Sequence, residues 1–372
     1  MAKKIKIGFV NFAPLSYDVL TPYKEPLGGT ESAMCYLTVE LAKLGHKVVL
    51  FGRYSKNFSL KGVVHESQDR IGQGKWHDLD FMVIQSDPMA GVEVKPLLNE
   101  KTKLILWEHM EIDQPLIFPL RSSRVKNAYD AMVFVSTWQM ARYIKYYWVD
   151  REKSTVIRNA VSPAFENLFS PKENILSHKS RPPILAYTAT PFRGLEVLIR
   201  LFPEIRNFIP EVSLKVFSSF KVYQQEENDK SWKTLYQICR QTEGVEYIGS
   251  VGQERLAKEL KKVLILAYPN TFPETSCITA LEAMAAGCLV VSSELGAIPE
   301  TTAGFAKLIP VTQPKEFYYQ QFIETVVDVL KKPPENLQKK LSRQVAFIYN
   351  SYTWKNRARE WESWLENFSK TS

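Results

Sequence analysis

Along the chain, short runs of Val, Ile, Leu and Phe alternate with stretches whose apolar residues return at helical spacing. The runs at residues 5–11, 46–52, 79–85, 103–107, 131–136 and 154–157 have the length and β-branched content of buried strands, and the alternation predicts a parallel sheet covered by helices on both faces. The stretch 170–183 interrupts it with Pro171, Pro182 and Pro183 among polar residues and reads as a linker. The pattern then restarts at 184–188 and continues at 213–218, 245–248, 263–268, 289–292 and 306–309. The expected fold is α/β, with two doubly wound, Rossmann-like domains at 1–170 and 184–350. From 352 onward, Trp354, Trp361, Trp364 and Phe368 recur at helical spacing among charges, as in an amphipathic helix packed on a core. In open sheets of this kind ligands sit beyond the carboxyl ends of the strands, so the loops after these runs are where chemistry is sought.

Length and composition narrow the picture. A chain of 372 residues exceeds what one hydrophobic core comfortably organises, which agrees with two domains. No segment has the roughly 18 uninterrupted apolar residues of a membrane span. The start runs into a strand pattern within a few residues and lacks the long apolar stretch of a secretory signal, so a cytoplasmic location is expected. The net charge of +8 is spread along the chain rather than gathered in a stripe. That distribution argues against nucleic acid and fits small anionic substrates or an anionic membrane surface. Cys35, Cys239, Cys277 and Cys288 form no metal or disulfide pattern and read as small buried apolar residues.

The most informative stretch runs from Pro273 to Ser293. It follows a strand, places Glu274 at a carboxyl edge, and predicts a helix over 275–286 with Glu282 a little over two turns along. The free N–H groups of a first helical turn make Thr275, Ser276, Cys277 and Ile278 a candidate phosphate cradle. A carboxylate only accepts hydrogen bonds, which suits sugar and ribose hydroxyls. Taken alone, the pair reads as a helix cap at Glu274 and a partner for a neighbouring cation at Glu282, since spaced glutamates on helices are common.

Together with the Glu-Ala-Met-Ala-Ala-Gly run at 282–287, the following strand and Gly296-Ala-Ile-Pro-Glu300, this stretch resembles the E-x7-E signature of retaining GT-B glycosyltransferases of glycosyltransferase family 4. The resemblance extends in order over nearly the whole chain, from Gly28-Gly29-Thr30-Glu31 to the Trp-rich closing helix. It implies two Rossmann-like domains facing a deep cleft, with 351–372 crossing back to the first. It also implies transfer of a sugar from a nucleotide diphosphate sugar to a hydroxyl acceptor, with retention of configuration. No metal and no resident cofactor are expected, the nucleotide sugar being a co-substrate.

The resemblance assigns roles. Glu274 would contact the donor sugar and Glu282 the ribose; Gly28 and Gly29 would approach the diphosphate. His109, in Trp107-Glu108-His109-Met110 at the end of a strand, would face the donor sugar, with Glu108 and Glu111 near the acceptor. Val251, in Gly249-Ser250-Val251, would seat the base through its backbone. Arg193 would neutralise the diphosphate as charge develops on it. The family usually carries an Arg-Lys pair here. In this chain Arg193 holds the second place while Tyr187 or Thr188 stands at the first, which points to Lys215 or Lys221 as a further cation.

Two other motifs are weighed. Asp78-Leu-Asp80 precedes a strand rather than following one and is not read as a metal site. The run Met140 to Trp148 mixes Arg142 and Lys145 with tyrosines and a tryptophan, a combination shared by helix cores, partner contacts and membrane interfaces, so a peripheral membrane contact stays open. The rival functions are a nucleotide-sugar epimerase or hydrolase on the same fold, and a non-catalytic sugar-nucleotide-binding protein.

Overall fold

The computed structural model describes residues 4–370. The chain divides into two compact units. The first comprises the residues up to Pro22, Gly29–Ala160 and the segment from Trp354; the second comprises Tyr23–Gly28 and Val161–Thr353.

The first unit is an eight-stranded sheet of β1 (Lys6–Val10), β2 (Lys47–Gly52), β3 (Phe58–Leu60), β4 (Val63–Ser67), β5 (Phe81–Gln85), β6 (Lys103–Glu108), β7 (Ala131–Phe134) and β8 (Ser154–Val156), in the order β3-β4-β2-β1-β5-β6-β7-β8. Its central strands are buried on both faces, as continuous apolar runs require once helices cover both sides. The helices α1 (Thr21–Lys24), α2 (Gly29–Lys43), α3 (Ala90–Val94), α4 (Ser123–Ala128) and α5 (Thr137–Tyr147) lie between the strands in sequence. β3 and β4 are absent from the apolar pattern because they are short and half of their residues are polar. They pair antiparallel through a two-residue turn in which Lys61 (φ 51°) and Gly62 (φ 82°) are both left-handed, the conformation that closes tight hairpins. The apolar periodicity of residues 33–44 predicts a helix there, and α2 starts four residues earlier, at Gly29.

The second unit is a six-stranded, wholly parallel sheet: β9 (Ile184–Tyr187), β10 (Ser213–Val216), β11 (Val245–Tyr247), β12 (Ile265–Tyr268), β13 (Leu289–Glu294) and β14 (Lys307–Pro310), ordered β11-β10-β9-β12-β13-β14. Its helices are α6 (Leu195–Phe208), α7 (Lys233–Gln241), α8 (Gln253–Lys262), α9 (Ile278–Ala285), α10 (Ile298–Thr302), α11 (Lys315–Lys331) and α12 (Leu337–Ser351). The strand order reverses between β9 and β12, a switch point of the kind that opens a crevice at the carboxyl edge.

The stretch 170–183 is packed rather than free. Ile175 is buried in the second core with Phe165 and Phe169, and Lys179 Nζ donates to the carbonyls of Lys261 (3.1 Å) and Ala286 (2.8 Å). The division between the units falls ahead of it, after Ala160. Prolines drew attention to 170–183, but its apolar side chains decide where it lies.

The last helix, α13 (Trp354–Phe368), belongs to the first unit and packs on α2. Trp361 meets Phe9 and Trp107 edge-on at 6.4 and 5.4 Å, Phe368 stacks on Phe81, and Trp354 lies against Tyr36. Arg357, also buried, donates through Nε to the Asn159 carbonyl. All four cysteines are buried and free.

Candidate active site residues at the two carboxyl edges

In the second unit the site begins with two strands of identical sequence, Ile-Leu-Ala-Tyr, at β9 and β12. Tyr187 and Tyr268 end them and meet edge-on at 5.8 Å. The Tyr187 hydroxyl donates to the Thr190 carbonyl (2.8 Å) and so fixes the short turn that carries Arg193. The next residue, Gly194, has φ 113°, and a Cβ there would lie 2.2 Å from the Pro269 carbonyl oxygen. Only glycine lets this turn press against the end of β12.

That approach sets Arg193 beside Glu274. Arg193 Nη1 lies 2.5 Å from Glu274 Oε2, and its Nε donates to Thr190 Oγ1 at 3.1 Å. Tyr268 donates its hydroxyl to Glu274 Oε1 (2.5 Å), so both carboxylate oxygens are engaged. The guanidinium also sits over the Phe272 ring at 4.4 Å and beside Phe192 at 5.1 Å. Burial works against the charge on Arg193, and Glu274 outweighs it, holding the side chain firmly cationic. The backbone of Glu274 is pinned as well. Its carbonyl accepts from Ala297 N (2.7 Å), and Gly296 (φ 66°) lies so close that a Cβ would come within 2.5 Å of Glu274 N and O.

The helix after Glu274 is shorter than the apolar pattern suggests. It begins at Ile278, with Thr275, Ser276 and Cys277 in the preceding bend. Ile278 N already donates to the Ser276 carbonyl, and Ala280 N and Leu281 N to that of Cys277. Cys277 and Thr275 are buried. Thr275 to Cys277 therefore form a bend ahead of the helix, and the Ile278 N–H that opens α9 is already used within it.

Glu282 lies in the middle of α9 in a different environment. Burial pushes its carboxyl up to about 8, against the stabilising backbone N–H of Ser162. Lys215 does not serve the edge: its Nζ is held by Glu259 at 2.7 Å and Glu246 at 3.5 Å. Lys221 lies in the turn after β10 and is exposed. Where the resemblance leads one to expect a first cation, Tyr187 is a buried, neutral phenol, and the Thr188 carbonyl accepts from Thr279 Oγ1 (3.0 Å). Val251 follows β11 and Gly249 (φ 78°) and is half-buried; beside it Ser250 and Ser219 share a hydrogen bond of 2.8 Å.

In the first unit the carboxyl edge holds a neutral polar cluster. Glu108 ends β6, fully buried, and one of its oxygens accepts the N–H groups of His109 (2.9 Å) and Met110 (2.8 Å). Burial raises its carboxyl to about 8, with those donors and Ser86 opposing. His109 lies against Trp107 at 4.6 Å, and its Nε2 is 3.2 Å from Asn159 Oδ1. Burial lowers its imidazole to about 4, so it is neutral near pH 7. Glu111 is paired with Arg142. The glycine loop leads into α2, whose first turn is tied down: Gln85 Nε2 donates to the Thr30 carbonyl (2.8 Å), and Asn11 Nδ2 to Glu31 (3.2 Å). Gly29 is the first residue of that helix, and Gly28 ends the short segment grouped with the second unit.

Tyr268, Thr190, Gly194 and Asn159 were not singled out from the sequence. The repeated Ile-Leu-Ala-Tyr was a signal for the first of these, since it marks two strands of one sheet ending alike. Among the described residues no group of three His, Cys, Asp or Glu could hold a metal ion, and no helix is long and apolar enough to cross a membrane.

Two α/β units, one on a mainly parallel and one on a wholly parallel sheet, give the chain the GT-B fold of glycosyltransferases. Residues 183–331, the greater part of the second unit, match the family described as Glycosyl transferases group 1. Solved structures agree with the fold over the whole length. A glycosyltransferase from Rickettsia africae is 14% identical with a TM-score of 0.72, 100% of each chain being covered. A sucrose-phosphate synthase from Thermosynechococcus elongatus is 14% identical at 0.71, covering 99% of this chain and 100% of that one. HepE of Anabaena, in complex with UDP and glucose, is 13% identical at 0.70, covering 98% and 100%. No curated protein matches the sequence.

Proposed function

We propose that the chain is a retaining, metal-independent glycosyltransferase that moves a sugar from a nucleotide diphosphate donor to a hydroxyl acceptor. The observation that carries this reading is the pinned Arg193–Glu274–Tyr268 group at the carboxyl edge of the second sheet. It holds a fixed cation and a carboxylate side by side, the two functions a sugar diphosphate needs. Arg193 uses part of a five-donor fork on Glu274 and Thr190, and the rest offsets charge on the departing diphosphate. Glu274 accepts from donor-sugar hydroxyls and Glu282 from the ribose, while the Val251 backbone seats the base. Gly28 and Gly29 allow the phosphates to come close to the main chain. His109, kept neutral by burial, exchanges a hydrogen bond with a sugar hydroxyl without adding charge where positive charge develops on the sugar. The acceptor hydroxyl attacks on the face from which the diphosphate leaves. The HepE complex with UDP and glucose and a starch synthase bound to ADP support a nucleoside diphosphate as the leaving group.

Thermal unfolding against a panel of UDP-, GDP- and ADP-sugars tests the binding half. A donor at about 100 times its dissociation constant stabilises the fold by roughly 2.7 kcal/mol. One donor is expected to raise Tm in the wild type and not in Arg193→Ala or Glu274→Ala. NMR of the product then reports the anomeric configuration, and turnover in EDTA reports metal independence. Tyr187 in place of the first cation favours a second reading, a sugar-nucleotide-binding protein without transfer; binding without turnover across acceptors selects it.

A further inference from the structure

In the first unit α5 splits its aromatic residues between two tasks. Tyr143 and Tyr147 are buried, donating to the carbonyls of Met110 (2.9 Å) and Ile112 (2.7 Å). Tyr146 and Trp148 point the other way, 45% and 73% exposed. The neighbouring segment Pro115–Arg121 presents Leu116 and Phe118, 44% and 38% exposed. Both segments are fastened to the same end of α5, since Lys126 just beyond that segment donates to the Tyr147 carbonyl (2.7 Å) while the Tyr147 hydroxyl reaches Ile112 just before it.

Trp148 is the most telling residue. It caps α5 in a left-handed conformation (φ 52°, ψ 42°), its N–H closing on the Tyr143 carbonyl. Such a cap favours glycine or asparagine, and a bulky residue there is strained. The fold recovers little burial from the residue in return, since it is left 73% exposed. The exposed rings of the two segments carry cations on their faces: Arg121 over Phe118 at 4.7 Å, Arg142 and Lys145 each over Tyr146 at 5.2 Å. Residues 115–148 hold five basic residues and a single acidic one, Asp130, which is paired with Lys95. Protein–protein interfaces take up Arg together with aromatics but are depleted in Lys, whereas exposed rings interleaved with both Arg and Lys and almost no acid match the headgroup zone of an anionic bilayer.

We propose that this face, centred on Trp148, Tyr146 and Phe118 with Arg121 and Lys145, seats the protein on an anionic lipid surface. The rings enter the headgroup boundary and the two cations meet lipid phosphates. This proposal is independent of the donor-site reading, and its test uses no turnover.

The full chain is mixed with vesicles of phosphatidylcholine alone, or of phosphatidylcholine with phosphatidylglycerol, and recovered by flotation. Wild type is expected to float with the anionic vesicles only, and to be released by high salt. Trp148→Asn relieves the strained cap, so its Tm should equal or exceed that of the wild type while its vesicle affinity falls about tenfold. Arg121→Glu with Lys145→Glu should lose more, at least about thirtyfold, each basic charge near the surface contributing on the order of 1 kcal/mol. The proposal is overturned if wild type ignores anionic vesicles, or if both variants float as wild type does. A concentration-dependent dimer that Trp148→Asn abolishes, with no vesicle binding, would also overturn it by assigning the face to a second copy of the chain.

Discussion

The two sheets carry opposite electrostatics at corresponding edges. In the second unit Arg193 and Glu274 sit as a charged pair, partly exposed at 19% and 11% of their side chains, with Tyr268 completing the carboxylate. In the first unit Glu108 and His109 are adjacent in sequence, buried, and both pushed towards their neutral forms, to about 8 and about 4. A direct pair of opposite charges resists neutralisation, whereas isolated buried groups shed charge to avoid desolvation. One edge therefore keeps a charged pair, while at the other burial drives the carboxyl and the imidazole towards their neutral forms.

The largest expected effect tests whether the edges depend on different supports. Deleting the chain from Trp354 removes two fully buried tryptophans from the first unit, and each large aromatic removed from a core costs about 3–5 kcal/mol. The first unit should lose its cooperative transition while residues 161–353 still melt, which calorimetry or pulse proteolysis would resolve. A single cooperative loss of both units would break the comparison.

Arg193→Ala comes next. It leaves Glu274 among apolar and aromatic neighbours without its cation, a loss of about 3 kcal/mol for a partly buried pair. Chemical denaturation measures it. Adding Glu274→Ala should restore part of the stability and none of the nucleotide response, separating the structural role of the pair from its ligand role. An equal loss in single and double variants would show that the two side chains do not act together.

The neutral edge is sharpened by pH. Glu108, raised in the fold, binds a proton that the unfolded chain has released above its ordinary carboxyl range near 4.5, so its contribution to stability is present below that range and falls as pH rises to about 8. His109 runs the other way: its lowered value makes stability rise between about 4 and 6.5, and add nothing further above. Between pH 6.5 and 8 the first unit should therefore lose stability, and Glu108→Gln should flatten that slope, as read by Tm against pH. Glu282, raised to about 8, gives the second unit the same sign, so Glu282→Gln is the control that assigns the slope to its unit.

The smallest effect is His109→Gln. It exchanges one hydrogen bond to Asn159 for another, so stability should change by about 1 kcal/mol or less, while activity falls by about a hundredfold or more if the imidazole meets the sugar.

What the sequence determined by itself was the order of the buried central strands, since each run of Val, Ile, Leu and Phe is long enough to be buried on both faces only in a covered parallel sheet. It also located Glu274, Glu282, His109 and Arg193 in loops or helices at strand ends, because spacing along the chain survives folding. It could not show that Arg193 closes on Glu274. That contact depends on a glycine at 194 allowing two loops, separated by about eighty residues, to touch backbone to backbone. Nor could it separate Lys215, an equally good cation on paper, which the alternation of β10 and the position of α8 hand to Glu259 instead. The short hairpin of β3 and β4, the packing of 170–183 into the second core, and the split of α5 into buried and exposed rings have the same origin. Each is settled by which side chains find a complementary neighbour in space, a quantity that residue type and periodicity do not contain.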